Sequence, residues 1–437
     1  MIQNKMKDSG IKWVGEIPEG WRVEKIKYTL RDRVENNYPI KTTNILSLTA
    51  KQGVIPLEEK EGGGNKPKED YSAYRLAYPN DIVMNSMNIL SGSVGLSKYF
   101  GCVSPVYYML RPIDSNADVR YFHYIFQTTV FQRSLYGLGN GILIKESSNG
   151  KLNTIRLRIS IDTLGNLLIP FAPINEQKRI ADFLDKKCDE VDGLIADIKT
   201  QIETLDNYKR ALITECVTKG LNPCAPMKDS GIEWVGQAPK DWSFIKGKYI
   251  FIQRNTKGNN LCLQLLSPSQ HFGVIPQTML EELTTQTVVK IKESTYLNEF
   301  KTIHKGDFCI SLRSFQGGFE YSVYEGVVSP AYTVFYAIKD VFDGYYKYLF
   351  KDKKFIEILN SYTMSLRDGK PISFEDFGNT FIPYPPIDEQ KQIAGFLDGK
   401  CAEIDGIIED KQSQIDTLES YKKSLIYEYV TGKKEVY

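Results

Sequence analysis

The chain has 437 residues, with 55 Lys and Arg against 54 Asp and Glu, and is 42% apolar and 12% aromatic. That length allows roughly two to four packed units, and the charge balance excludes an evenly basic nucleic-acid coat. No apolar run approaches the roughly 18 residues that span a bilayer, and Met1-Ile2-Gln3-Asn4-Lys5 is not a signal-peptide start, so a cytoplasmic protein without membrane contact is expected.

Residues 1–19 form a header containing Met6-Lys7-Asp8-Ser9-Gly10-Ile11-Lys12-Trp13-Val14-Gly15. Residues 20–172 follow as a module of mixed signals. The run 81–84 predicts a strand, and 121–131 predicts a helix with its aromatics inward and His123 in the core. Polar stretches in this module hold Ser86, Asn88, Ser91, Asn140, Lys145, Arg156 and Arg158, side chains able to supply phosphate contacts and base-edge hydrogen bonds. Gly137-Leu138-Gly139-Asn140-Gly141 reads as a flexible loop, because no apolar strand precedes it as a cofactor-binding glycine loop requires.

Residues 173–220 predict one long helix, with Asn175 as N-cap after Pro173 and Gly220 as terminator. No proline interrupts it, and at about 1.5 Å per residue it would reach roughly 60 Å. Leu184, Val191, Ile198, Leu205 and Leu212 recur every seven residues, and Lys209 is the polar member of the companion row.

A second header, residues 221–240, leads to a second module, 241–385, in which 307–310 predicts a strand and 345–355 a helix. Its candidate nucleic-acid contacts are Arg313, Ser314, Gln316, Arg367 and Lys370. Residues 386–437 close the chain with another long helix, capped by Asp388 and ended by Gly432, whose seam holds Leu397, Ile404, Leu418 and Leu425 beside Lys411 and Lys422. The two helices are expected to pair with each other, the seam lysines fixing register.

The chain is thus an internal duplication. The first header recurs at an offset of 221 with nine identities in ten, and residues 169–185 recur as 382–398 with twelve identities in seventeen. That period is far too long for a solenoid, so the repeat is a pair of domains. The fold class expected is α+β, or mixed: two small α/β domains separated by two long antiparallel coiled-coil helices, with a pseudo-two-fold internal repeat. Residues 20–170 carry 19 basic and 13 acidic side chains, whereas 241–384 carry 16 and 15, so positive charge gathers in the first module. Seven cysteines without a C-x-x-C pair point to reduced thiols, mostly in the core, and three histidines leave little material for general-base or metal chemistry. There is no G-x-x-x-x-G-K-[ST], no amino-methylation motif, and Glu58-Glu59-Lys60 reads as a solvated turn.

The headers, D-S-G-I-x-W-V-G-x-x-P-x-x-W at Asp8 to Trp21 and Asp229 to Trp242, and the tails, P-x-I-[ND]-E-Q-K-x-I-A-x-F-L-D at Pro173 to Asp185 and Pro386 to Asp398, resemble the DNA specificity subunit of type I restriction-modification systems. The resemblance covers essentially the whole chain. It implies two target-recognition domains, each reading one half of a bipartite site on double-stranded DNA. It implies helices that set the spacing and dock two methyltransferase subunits, and restriction and motor subunits as further partners. It also implies no catalysis in this chain, with S-adenosylmethionine, ATP and Mg held by those partners. A free-standing DNA-binding or architectural protein, and a DNA-modifying enzyme with an unrecognised site, are the competing readings.

Overall fold

The computed structural model describes residues 5–49, 52–60, 70–142, 156–258, 263–284, 299–311, 318–363 and 372–436. The chain divides into two compact units, one made of Met1–Ile198 with Ser413–Tyr437 and the other of Lys199–Gln412. Both mix strands with helices, and among the described residues no helix is long and apolar enough to cross a membrane.

The first unit opens on an antiparallel hairpin, Met6–Ile11 with Gly15–Pro18. Strand Arg22–Lys25 enters the module and Leu168–Phe171 leaves it, and the two pair antiparallel so that the module closes on itself at its neck. Inside is a four-stranded sheet in the order Leu30–Asp32, Tyr107–Pro112, Ile82–Asn85, Val94–Leu96. Its apolar face packs on Val119–Gln127 and Thr129–Ser134, burying Tyr121, Phe122, Phe126 and Phe131. The single helix expected over 121–131 is broken in two at Thr128, whose extended backbone ends the first helix while its hydroxyl accepts the Phe131 N–H of the second. His123 is half-buried beside Gln127, so it lies at the edge of the core.

The second unit repeats this plan. Hairpin Met227–Asp229 with Gln237–Pro239 precedes a neck of Ser243–Lys246 paired with Phe381–Tyr384. Its sheet runs Phe251–Arg254, Thr333–Ala337, Phe308–Ile310, Phe319–Tyr321. Helices Asp343–Leu349 and Lys353–Thr363 replace the one expected over 345–355. The core is more aromatic here: Phe251, Phe308, Phe335, Phe350 and Phe377 meet with ring centroids 5.0–5.9 Å apart.

The long helices run Ile174–Lys219 and Ile387–Val430. They begin at the isoleucine after the proline, two residues earlier than caps at Asn175 and Asp388 would place them, so those two residues lie inside the first turn and are not caps. The Pro173 and Pro386 carbonyls accept the first helical N–H groups instead. Gly220 and Gly432 close the helices at φ +76° and +72°. In the first unit the start of the central helix packs antiparallel on the end of the C-terminal helix, with Phe183 and Tyr429 rings 4.4 Å apart and Asp192 bonded to Lys422. In the second unit the pairing recurs, with Gln201 bonded to Lys411 and Asp405 to Lys209. Of the nine seam residues, Leu184, Val191, Leu397, Ile404 and Leu425 are buried, and Ile198, Leu205, Leu212 and Leu418 are half-buried.

Candidate nucleic-acid interface and the joints that carry it

Each module is bolted to its helix by the polar residues of the repeated motifs. Trp21 is 3% exposed, packs edge-on to Tyr121, and donates its indole N–H to Glu176 at 2.9 Å. Trp242 does the same with Tyr345 and with Glu389, at 2.8 Å. One residue on, Gln177 is fully buried. It donates to the Ala172 carbonyl at 2.8 Å and accepts the Asp118 N–H at 3.3 Å. Gln390 repeats this with Pro385 and Phe342, both at 2.8 Å. At the end of the motif, Asp185 accepts from Tyr124 and Arg120, and Asp398 from Tyr348 and Lys347. Burial pushes the Asp398 carboxyl up, but those two donors outweigh it and hold the group below its ordinary value. The E-Q-K-x-I-A-x-F-L-D run therefore repeats because it makes the same joint twice.

The strongest cations inside the modules are also structural. Arg33 holds Asp81 through two contacts at 3.1 and 3.2 Å and lies over the Tyr78 ring, while Arg254 holds Asp307 at 2.7 and 3.0 Å and lies over Tyr336. Arg75 forks onto Asp32 and adds the carbonyls of Tyr107 and Arg33. These guanidinia satisfy buried carboxylates and carbonyls, so the net charge of the first module overstates what its surface offers to phosphate.

Of the sequence-predicted contacts in the first module, the structure brings one group together. Asn140–Ile142 and Arg156–Arg158 pair antiparallel, placing Asn140 opposite Arg158. The next residue, Ile159, donates its N–H to the Ser86 carbonyl at 3.0 Å and accepts the Tyr108 hydroxyl at 2.9 Å, which sets the ribbon beside the turn 86–92. Arg158 and Asn88 are exposed on this edge. The backbones of Ser91, Asn140 and Arg156 belong to the same edge. Ser86 is corrected: it is 1% exposed and its hydroxyl donates to the Val106 carbonyl at 2.7 Å, so it braces the turn from inside. Lys145, Arg313, Ser314, Gln316, Arg367 and Lys370 lie outside the described residues.

Sequence reasoning missed Glu320. It stands on Phe319–Tyr321, opposite Cys309 and 1% exposed, with one oxygen 2.8 Å from Lys351 and the other without a hydrogen-bond partner. Burial pushes its carboxyl up to about 7, against the pull of Lys351. An acidic residue between two aromatics in a strand was its only sequence signal. Cys102, Cys188, Cys216, Cys309 and Cys401 are buried free thiols and Cys224 is an exposed one, while Cys262 lies outside the described residues.

Comparison with known proteins agrees with this architecture. The family described as the type I restriction modification DNA specificity domain matches residues 7–204 and again 244–417, one match per repeat. The chain is 26% identical over 454 residues to a putative type I restriction enzyme MjaX specificity subunit of Methanocaldococcus jannaschii, covering 97% of this chain and 96% of that protein. It is 28% identical over 300 residues to the MjaVIII specificity subunit of the same organism, covering 62% and 63%. Its fold superposes with a TM-score of 0.65, at 13% identity, on a chain from a structure concerned with complex assembly and conformational transition of the type I R-M system, covering 96% and 99%. With the family domain matched twice across most of its length, the chain belongs to the type I restriction-modification DNA specificity family.

Proposed function

We propose that this specificity subunit assigns one half of a bipartite, asymmetric DNA site to each module, with the long helices fixing the gap between the halves and docking two methyltransferase subunits. The observation that carries the proposal is the doubled match of the DNA specificity domain, falling on two modules whose joints are the same but whose outer residues differ. Identical joints orient both modules alike on their helices, and divergent outer residues suit two different half-sites. In the first module the ribbon and turn carrying Arg158, Asn140 and Asn88 form the reading edge.

Recognition is this chain's task in the cytoplasm. Methyl transfer from S-adenosylmethionine to adenine, and ATP- and Mg-dependent cleavage, fall to the methyltransferase and the restriction and motor subunits. Base-resolution mapping of methyladenine in host DNA, with the gene intact and then deleted, tests this directly. Loss of one motif with two specific blocks around a fixed gap is expected. A map unchanged by the deletion, in cells where the partner subunits are expressed, would overturn the assignment.

A further inference from the structure

The two long helices end alike except at one position that decides local packing. Leu212, Ile213, Glu215 and Val217 stand where Leu425, Ile426, Glu428 and Val430 stand, but Cys216 takes the place of Tyr429. Phe183 and Phe396 are the matching residues near the two helix starts. In the first unit Tyr429 covers Phe183, with ring centroids 4.4 Å apart and both side chains half-buried. In the second unit a thiol is too short to cover Phe396, whose ring is left 39% exposed.

A cavity of about 540 Å³ takes in the place of the missing ring. Its inner wall is Leu212, Cys216, Met227 and Phe396, and burial pushes the Cys216 thiol up to about 11, so the sulfur there is uncharged. Loss of a ring from a packed joint costs stability unless neighbouring groups collapse into the space. Here Leu221 and Pro223 border the space and do not fill it. Small-molecule sites run from about 300 to 1,000 Å³ and combine apolar walls with a few polar groups that fix orientation. At the mouth those groups are Glu215 and Lys219, one helical turn apart, both exposed and without a hydrogen bond or ion pair among the described residues. A carboxylate and an ammonium side by side suit a ligand whose polar end carries both signs.

We propose that this cavity is a binding site for a small zwitterionic aromatic molecule of the class of an aromatic amino acid, its ring on Phe396 as Tyr429 lies on Phe183, and its charged end between Glu215 and Lys219. The first unit supplies the template, because there the chain provides the ring itself. The site is independent of the sequence that the modules read, and it belongs to the second unit alone.

The test is calorimetric titration and thermal melting of the full chain with p-cresol, the tyrosine side chain as a free molecule, and with L-phenylalanine. Each is expected to bind once per chain and to raise the Tm, with L-phenylalanine roughly threefold or more the tighter, because it alone meets both charges. Glu215→Gln with Lys219→Gln should remove that advantage and leave p-cresol binding unchanged. Cys216→Tyr should rebuild the joint of the first unit, melt higher than wild type and bind neither probe. Phe396→Ala changes an exposed ring and so keeps the fold, yet it should weaken both probes by roughly tenfold, since the stacking surface is gone. No binding of either probe to wild type at millimolar concentration would overturn the site, as would binding that survives Phe396→Ala undiminished. L-phenylalanine no tighter than p-cresol would overturn the zwitterionic class.

Discussion

Lys422 places its ammonium 2.6 and 2.7 Å from the two carboxylate oxygens of Asp192, across the antiparallel helix pair, and Lys209 repeats the contact with Asp405 at 2.6 and 2.7 Å. Both lysines were expected to lie in the seam. Instead they turn out of it, keeping their methylenes on the apolar row and their charge at the rim. Asp192 and Asp405 are more than half exposed, so each pair is screened and contributes no more than about 1 kcal/mol. Lys422→Leu should therefore leave the urea midpoint nearly unchanged. What it removes is a restriction on register, so light scattering should detect self-association of the variant. A loss above about 2 kcal/mol would show that the pair does more than set register.

Glu176→Ala tests the joint of the first unit. The Trp21 indole N–H would lose a charged acceptor in a partly buried site, at a cost of about 1.5–3 kcal/mol. Hydrogen exchange should accelerate around Trp21 and Tyr121 but not around Trp242, whose acceptor Glu389 is untouched. Equal acceleration in both would mean that the joints are not independent.

The long helices are legible in the sequence because each is an unbroken heptad between a proline and a glycine, and their pairing follows from two complementary seams. The joints are legible only in part. The duplication marks Trp21, Glu176, Gln177 and Asp185 as special, but Trp21 and Glu176 stand 155 residues apart, and nothing local says that they touch. The reading edge is the least legible. Ser86 and Arg158 come from equally polar stretches, yet the carbonyl of Val106 draws the serine inward while strand pairing turns the arginine out. Composition cannot separate the two, because the difference is made by partners well outside each stretch, Val106 for Ser86 and Asn140 for Arg158.

Glu320 gives the second unit a pH dependence with a definite sign. Its carboxyl sits near 4.5 when solvated and is raised to about 7 in the fold, so the folded state binds the proton more tightly. Its environment favours folding fully below about pH 4.5, and that contribution is lost as pH rises through 7, by roughly 3 kcal/mol in all. Glu320→Gln keeps the shape without the charge. It should match wild type at pH 5 and be the more stable protein at pH 8, read from exchange protection of Phe308–Ile310 and Phe319–Tyr321. A wild-type unit with the same protection at both pH values would show that Glu320 stays ionised in the fold.

Ser86 and Arg158 supply a matched pair of outcomes at the reading edge. Ser86→Ala leaves the half-buried Val106 carbonyl without its donor, so it should cost about 1 kcal/mol of stability and affect DNA binding only through the turn it braces. Arg158→Ala removes an exposed guanidinium that no internal partner holds among the described residues, so stability should be unchanged. Binding of the assembled complex to its own site should weaken instead. If Arg158 meets phosphate, the loss is uniform across sequences and the salt slope falls by about 1. If it meets a base edge, the loss is about 1–3 kcal/mol and specificity relaxes at one position of one half-site. Titrations of the cognate site and of single-base variants at two salt concentrations separate the two modes. Unchanged affinity in all of them would move the reading edge away from this ribbon.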